Sequence, residues 1–351
     1  MFSWIKYLFA LTLPLSVWIA FHSSGWLCYL PLIYGFVFLP VIEMVSGEQM
    51  SNPNPEEERR FLQSSGFDAM IYLAVAVHFF TLAAFFFYIE PSNEPWSDTL
   101  GKTLAMGMMC GVFGINIGHE LGHRVNKIEQ FIAQLMLLTS QYTHFFIEHN
   151  EGHHRNVGTP GDPASAVKNE VLYVFVLRGM PRTYLAAWQI EKKRLERKKM
   201  PFISLKNRMI RFSLMQLALM FGIFIAFDTV YLLYYLLAAF TGAFLLESIN
   251  YIEHYGLRRQ KINEYRYEDP KPIHSWNSDF VIGRLVLFEL TRHSDHHYDP
   301  SRKYQVLRSH EEAPQLPGGY PSMVVLALFP PLWFKIMNPR VDKYMGAKSK
   351  V

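Results

Sequence analysis

The sequence predicts an all-α integral membrane protein with six transmembrane helices and a helical cytoplasmic cap. Half of the 351 residues are hydrophobic and only 18% are charged, and the apolar residues are bunched into long stretches. A helix needs about 20 apolar residues to cross the hydrocarbon core of a bilayer. Basic residues and most of the histidines gather on one side of these stretches, which predicts one chemically distinct face.

Six stretches are long and apolar enough to cross a bilayer. They are Trp4–Phe21, Trp26–Val45, Ala69–Ile89, Leu100–Gly118, Met209–Phe227 and Val230–Ile252. Lys6 lies near the start of the first stretch, but no small-x-small cleavage site follows it, so we predict a retained anchor rather than a signal peptide. Cys28 and Cys110 lie within the stretches and are expected to be apolar packing residues.

Charge predicts the orientation of the chain. Eleven Lys or Arg residues lie between Arg178 and Arg211, whereas the loops at 22–25 and 91–98 carry none. By the positive-inside rule the basic side is cytoplasmic, and an even number of spans places both termini there. We predict a single membrane domain over residues 1–351. Its cytoplasmic pieces are 46–67, 120–208 and 253–351, and the apolar stretch 128–147 within them is expected to pack against the spans rather than cross.

Nine histidines fall into three boxes and one satellite position on the predicted cytoplasmic face. The boxes read His119-Glu-Leu-Gly-His123, His149-Asn-Glu-Gly-His153-His154 and His293-Ser-Asp-His296-His297, and the satellite is His254. Histidines at i and i+4 share one face of a helix, so the two rings of His-x-x-x-His can bind one ion. Adjacent helical residues point about 100° apart, so each histidine doublet can serve two different ions. Nine imidazoles exceed the capacity of one ion, and among zinc, copper and iron we favour an open centre of two irons.

These motifs resemble those of the integral-membrane alkane 1-monooxygenase family. The residues that carry the resemblance are His119–His123, Glu148–Arg155, Gly158–Ser165, Asn250–Gly256 and Arg292–His297. Membrane desaturases, fatty-acid hydroxylases and xylene monooxygenases share the three boxes. The segments Asn-Tyr-Ile-Glu-His-Tyr-Gly and Arg-His-Ser-Asp-His-His are more specific to alkane hydroxylases. Thr291 replaces the Gln that the family usually has, a difference that concerns local packing.

The resemblance implies a non-haem di-iron enzyme of the bacterial inner membrane that uses O2 to hydroxylate the terminal methyl of an n-alkane. The resemblance also implies that electrons come from reduced rubredoxin and its reductase. The rubredoxin would be a separate protein, because two span cysteines cannot build a four-cysteine iron site. Membrane lipid is a further expected partner, and nucleic acid is not. The family's iron ligands fall on His119, His123, His149, His153, His154, His254, His293, His296 and His297.

Carboxylates near the boxes are candidates for orienting the ligands. A metal-bound histidine normally donates its other ring N–H to a carboxylate or a carbonyl group. Asp162 and Glu253 are the best candidates because each lies close in sequence to a ligand cluster, and no catalytic residue beyond the ligands is expected. Weaker candidates for this orienting role are Glu120, Glu148 and Asp295. Arg155 and Arg292 are expected to pair with these acids. His144, His274 and His310 are expected to be structural histidines.

Two alternatives stay open on the sequence alone. A related enzyme acting on fatty acyl or aromatic methyl groups would share the boxes. A metal transporter is less favoured, because it would place ionisable ligands near the bilayer midplane, where the stretches carry little charge. The basic run Glu191–Lys199 is typical of a solvated helix beside anionic lipid, and a sharper hypothesis is that it docks an acidic electron carrier.

Overall fold

The computed structural model describes residues 3–264 and 266–346, and the described part is almost entirely helical. Among these described residues, six helices are long and apolar enough to cross a membrane, which confirms the predicted all-α fold with six candidate spans. They are α1 (Ser3–Phe21), α2 (Gly25–Ser46), α4 (Ser65–Tyr88), α5 (Trp96–Gly122), α9 (Arg208–Ala226) and α10 (Thr229–His254). Helix α5 continues past the predicted end at Gly118, so His119 lies inside the helix.

The remaining helices belong to the segments between and after the spans. They are α3 (Pro55–Gln63), α6 (Lys127–Leu138), α7 (residues 145–156), α8 (Leu172–Arg197), α11 (Val281–Val286), α12 (His293–Tyr298), α13 (Tyr320–Ala327) and α14 (Pro330–Gly346). Strands β1 (Lys261–Asn263) and β2 (Arg266–Tyr267) form a small antiparallel pair.

Side-chain caps explain where two of the helices begin. Asn54 accepts hydrogen bonds from the backbone N–H groups of Glu56 and Glu57, and the Glu57 carboxylate accepts the N–H of Asn54 in return. This capping box starts α3 at the Asn-Pro-Asn-Pro-Glu-Glu-Glu run, which satisfies N–H groups that a helix leaves unpaired at its first turn. Asn207 caps α9 in the same way by accepting the N–H of Met209 at 2.9 Å.

The chain divides into two compact units. The first comprises Met1–Phe38, Ser65–Glu148 and Tyr184–Leu246. In this unit α6 packs against the end of α5, since a Cβ added to Gly118 would lie 3.2 Å from the carbonyl oxygen of Ala133. Helix α6 has 12 residues, too few for a crossing, so the stretch 128–147 packs beside a span as expected.

The second unit comprises Leu39–Ser64, His149–Thr183 and Glu247–Val351. Its interior holds Arg292, which is 1% exposed and pairs with Asp279 at 3.1 Å. Arg292 also donates to three backbone carbonyl groups. Our expectation that Arg292 pairs with an acid beside a histidine box is therefore wrong, because this guanidinium ties distant loops together. The single domain over residues 1–351 stays a prediction.

Candidate metal centre

The histidine boxes lie on helix ends and short helices. In the first unit, His119 lies in the last turn of α5, and its ring centroid is 4.8 Å from that of His123, which follows the helix. In the second unit, the second box lies on α7, His254 is the last residue of α10, and the third box forms most of α12.

Four histidines of the second unit converge on one another. His153, His254, His293 and His297 are each at most 3% exposed, and one ring nitrogen of each lies within 4.8 Å of the others. The Nε2 atoms of His153 and His297 are 3.2 Å apart, as are those of His254 and His293. Nitrogens bound to a common ion at about 2.0–2.1 Å would lie about 3.0–3.4 Å apart. These two separations suit nitrogens that share a buried ion.

A second group of imidazoles is also closely spaced and shielded from solvent. The Nε2 atom of His154 lies 2.9 Å from that of His149 and 3.1 Å from that of His296. All three rings belong to the second unit and are largely shielded from solvent. These separations again suit nitrogens that share an ion.

The two histidine doublets divide between the groups. His153 and His297 belong to the group of four, and their neighbours His154 and His296 belong to the other. The expectation that His149 and His153 share an ion across one helical turn is wrong. Residues His149–His153 form a π-helical turn, whose i to i+5 periodicity brings His149 over His154 instead.

Asp162 holds one ring of the group of four. Its Oδ2 lies 3.0 Å from Nδ1 of His153, and it accepts further hydrogen bonds from the Ser165 hydroxyl at 2.5 Å and the Ala164 N–H at 3.1 Å. Burial alone would raise the pKa of Asp162, but His153 and these hydrogen bonds hold that pKa below its usual value. The side chain is therefore an ionised carboxylate that can only accept hydrogen bonds.

This contact fixes the tautomer of His153. An accepting carboxylate requires a proton on Nδ1, which leaves the lone pair of a neutral ring on Nε2. Nε2 is the atom that faces His297. The donor set is thus prepared for a metal ion by a carboxylate behind the ring, the arrangement that ligating histidines commonly have.

Comparison with known proteins places the chain in a family. It is 40% identical to alkane 1-monooxygenase 1 of Pseudomonas aeruginosa, over 99% of this chain and 92% of that protein. It is 39% identical to alkane 1-monooxygenase 2 of Alcanivorax borkumensis, over 94% and 87% of the two chains. The chain belongs to the alkane 1-monooxygenase family.

Two broader matches agree with this alkane 1-monooxygenase assignment. The family model described as fatty acid desaturase matches residues 94–327. The xylene/toluene monooxygenase hydroxylase component of Pseudomonas putida is 28% identical over 72% of this chain and 67% of that protein. The family resemblance that the histidine motifs indicated is confirmed.

In this member of the alkane 1-monooxygenase family, Glu253 borders the group of four. Its Oε2 lies 3.2 Å from Nε2 of His293, and its Oε1 accepts a hydrogen bond from the Tyr320 hydroxyl at 2.8 Å. Burial and the neighbouring carboxylate raise the pKa of Tyr320 well above its ordinary value, so this hydroxyl remains a donor. Glu253 therefore touches the ring nitrogen that faces His254, rather than the far side of the ring.

Tyr320 is a supporting residue that was not found from the sequence, whereas Asp295 was named there as a weaker candidate and His310 as a structural histidine. Asp295 accepts hydrogen bonds from His310 Nε2 at 2.7 Å and from the backbone N–H of Arg308 at 2.9 Å, so it anchors α12 to the following loop. Tyr320 lies far from Glu253 in sequence, and no local pattern connects the two. Asp162 in its Gly-Asp-Pro-Ala setting was a usable turn signal, because an aspartate often accepts the backbone N–H two residues on, as it does here from Ala164.

Proposed function

We propose that this chain hydroxylates the terminal methyl group of n-alkanes to give 1-alkanols, with O2 as co-substrate. The proposal is supported by family membership, because the relatives are named for this reaction. The main physical support is the presence of two sets of imidazoles, in each of which pairs of Nε2 atoms lie 2.9–3.2 Å apart.

The metal centre is proposed to hold two non-haem irons with the nine histidines as ligands. His153, His254, His293 and His297 would bind one iron. His149, His154 and His296 alone would leave the second iron with three protein ligands, and we assign His119 and His123 to it because the family resemblance places ligands at these positions. When bound, the irons would supply O2 activation, chemistry that no side-chain group of the protein provides.

The chain's own residues would position and shield this centre. Asp162 fixes the tautomer of His153, and Glu253, which accepts a hydrogen bond from Tyr320, lies beside the nitrogen through which His293 would bind the iron. The nearly complete burial of these rings excludes water from the reacting atoms. An alkane offers no hydrogen-bonding group, so its terminal carbon must be selected by the length and shape of an apolar channel.

Electrons are proposed to come from reduced rubredoxin, itself reduced by a rubredoxin reductase. Cys28 and Cys110 are both buried within spans, where they do not contribute an iron site of the rubredoxin kind. Lys192 and Lys193 are exposed on α8, Lys198 is exposed in the turn that follows it, and the three charges suit an acidic carrier. Reversing these three charges to Glu should slow rubredoxin-driven turnover while leaving iron content intact. Unchanged turnover would remove this docking site from the proposal.

The multi-pass chain is proposed to lie in the bacterial inner membrane, with the metal centre and both termini in the cytoplasm. Lys193→Cys and Asn93→Cys place labels at exposed positions on opposite ends of the spans, and the two natural cysteines are buried. An impermeant thiol reagent added to intact spheroplasts should label the variant at 93 and spare the variant at 193. The opposite pattern would invert the topology.

A second candidate reaction is hydroxylation or desaturation of a fatty acyl chain. The match of residues 94–327 to the fatty acid desaturase model favours this acyl-chain reaction. Hydroxylation of an aromatic methyl group is a further alternative, because the xylene/toluene monooxygenase component is also a relative. A metal transporter would not explain the relatives.

Feeding a ladder of n-alkanes, fatty acids and xylene to the chain co-expressed with rubredoxin and its reductase separates these reactions. We expect 1-alkanols from alkanes, and products from acyl substrates alone would replace the proposal with the alternative. His254→Ala should abolish product and lower bound iron, whereas His22→Ala, a matched change at an exposed loop, should do neither.

A further inference from the structure

A basic pocket lies beside the first residue of span α9. Its volume is about 560 Å³. It is lined by Arg194, Ser204, Leu205, Lys206, Arg208 and Arg211. Four of these residues are cationic, and no carboxylate is found among the described residues that line it. The pocket lies at the end of a candidate span, where the surface of a membrane would be if the helix crosses it.

Glu191 holds two of the arginines in place behind the pocket. Its carboxylate is fully buried and accepts hydrogen bonds from Arg194 at 2.5 and 2.8 Å and from Arg208 Nε at 2.8 Å. The four cationic residues that line the pocket outnumber this one carboxylate, so the site carries more positive than negative charge. Lys206 and Arg211 are exposed and extend it toward solvent.

Exposed apolar side chains lie in the loop that contributes Leu205 to the pocket. Phe202 is 43% exposed, Ile203 87% and Leu205 68%, all in the short loop that leads into α9. Large apolar side chains this exposed are costly in water but favourable where a loop enters the headgroup and acyl-chain boundary of a bilayer. Cations beside interfacial apolar residues are the combination that recognises an anionic lipid.

We propose that this pocket binds the phosphate headgroup of an anionic phospholipid, whose acyl chains lie beside Phe202, Ile203 and Leu205. The phosphodiester carries the negative charge that the four cations require, and arginine donates to phosphate oxygens in pairs. The loop's apolar residues favour a lipid phosphate over a soluble one. The site would tie the start of α9 to the membrane surface and is independent of the metal centre.

Native mass spectrometry of the purified full-length protein tests this site. The protein is equilibrated with micelles containing dioleoylphosphatidylglycerol or dioleoylphosphatidylcholine, and retained lipid is counted. The test variant is Lys206→Gln with Arg211→Gln. The matched control is Arg197→Gln with Lys199→Gln, which removes the same charges from exposed residues outside the pocket. Thermal unfolding checks that both variants fold.

We expect the unaltered protein to retain phosphatidylglycerol in preference to phosphatidylcholine. The pocket variant should bind it at least about tenfold more weakly, and the control should change by less than about twofold. Ile203→Ser should weaken binding as well, because it removes the apolar contact.

Equal loss in both charge variants, or no preference for the anionic lipid, would overturn the proposal. Displacement of the lipid by equimolar inorganic phosphate would assign the pocket to a soluble anion. Intact lipid binding combined with slower rubredoxin-driven turnover in the pocket variant would assign it to the protein donor.

Discussion

Replacing Asp162 with Asn should switch the tautomer of a proposed iron ligand. The carboxylate accepts hydrogen bonds from His153 Nδ1, Ser165 and the Ala164 N–H. In Asp162→Asn the amide oxygen can still accept the Ala164 N–H, which turns the NH2 group toward His153. Two donors then face each other, and the ring relieves this by moving its proton from Nδ1 to Nε2. A protonated Nε2 has no lone pair for a metal ion.

The cost of this change can be estimated in two ways. A buried hydrogen bond to a charged group contributes about 1.5–3 kcal/mol. Loss of a carboxylate behind a ligating histidine weakens metal binding by about 10–100-fold, which corresponds to about 1.4–2.8 kcal/mol. The agreement between the two ranges predicts about 10–100-fold weaker iron binding, with the chain still folded because the substitution preserves volume.

Iron affinity can be measured by competition with a chelator of known affinity, followed by elemental analysis. The control is Asp269→Asn, which removes a carboxylate whose side chain is 79% exposed and far in sequence from any box. Iron content in Asp162→Asn equal to that of the control at every chelator concentration would refute the tautomer argument. Equal losses in both variants would show a general charge effect instead.

Three further predictions concern stability. The pKa of Glu191 is about 2, because hydrogen bonds from two arginines outweigh the effect of burial. Such a lowered carboxyl pKa stabilises the fold above the unfolded pKa near 4.5, and this contribution is lost as the pH falls toward 2, so Glu191→Gln should lower stability by about 2–3 kcal/mol at pH 7. A difference in melting temperature between variant and unaltered protein that did not shrink from pH 5 to pH 2 would contradict this prediction. Gly256→Ala should cost about 1–3 kcal/mol in denaturant unfolding, because φ is +72° and the new Cβ would lie 2.8 Å from Val341; an unchanged midpoint would exclude this strain. Tyr320→Phe removes the buried donor to Glu253 and should cost about 1–3 kcal/mol with a matching loss of bound iron, whereas a stability loss with full iron content would make the tyrosine purely structural.

The spans were predictable because their signal is local. A membrane helix must be long and apolar, and both properties can be read from consecutive residues. The six predicted stretches agree with the six helices to within a few residues at most ends. The main difference is the end of α5, where His119 remains helical because the last turn continues beyond the apolar run.

The spacing of the histidines predicted metal binding correctly, but it predicted only part of how the rings are grouped. The separation of each doublet follows from the 100° between adjacent helical residues, and the structure places His153 and His154 in different groups. The i to i+4 rule failed at His149, because residues 149–153 take a π-helical turn. Such a turn is stabilised by its surroundings and has no reliable signature in six residues of sequence.

The sequence by itself determined the membrane class, the family and the nine imidazoles, because composition, hydrophobic length and motif identity are properties of short segments. The tertiary structure decided which imidazoles face each other and what supports them. Tyr320 meets Glu253, and Arg292 meets Asp279 rather than a box acid, through contacts between segments distant in the chain. Such contacts depend on how the helices and loops pack, and no local pattern encodes them.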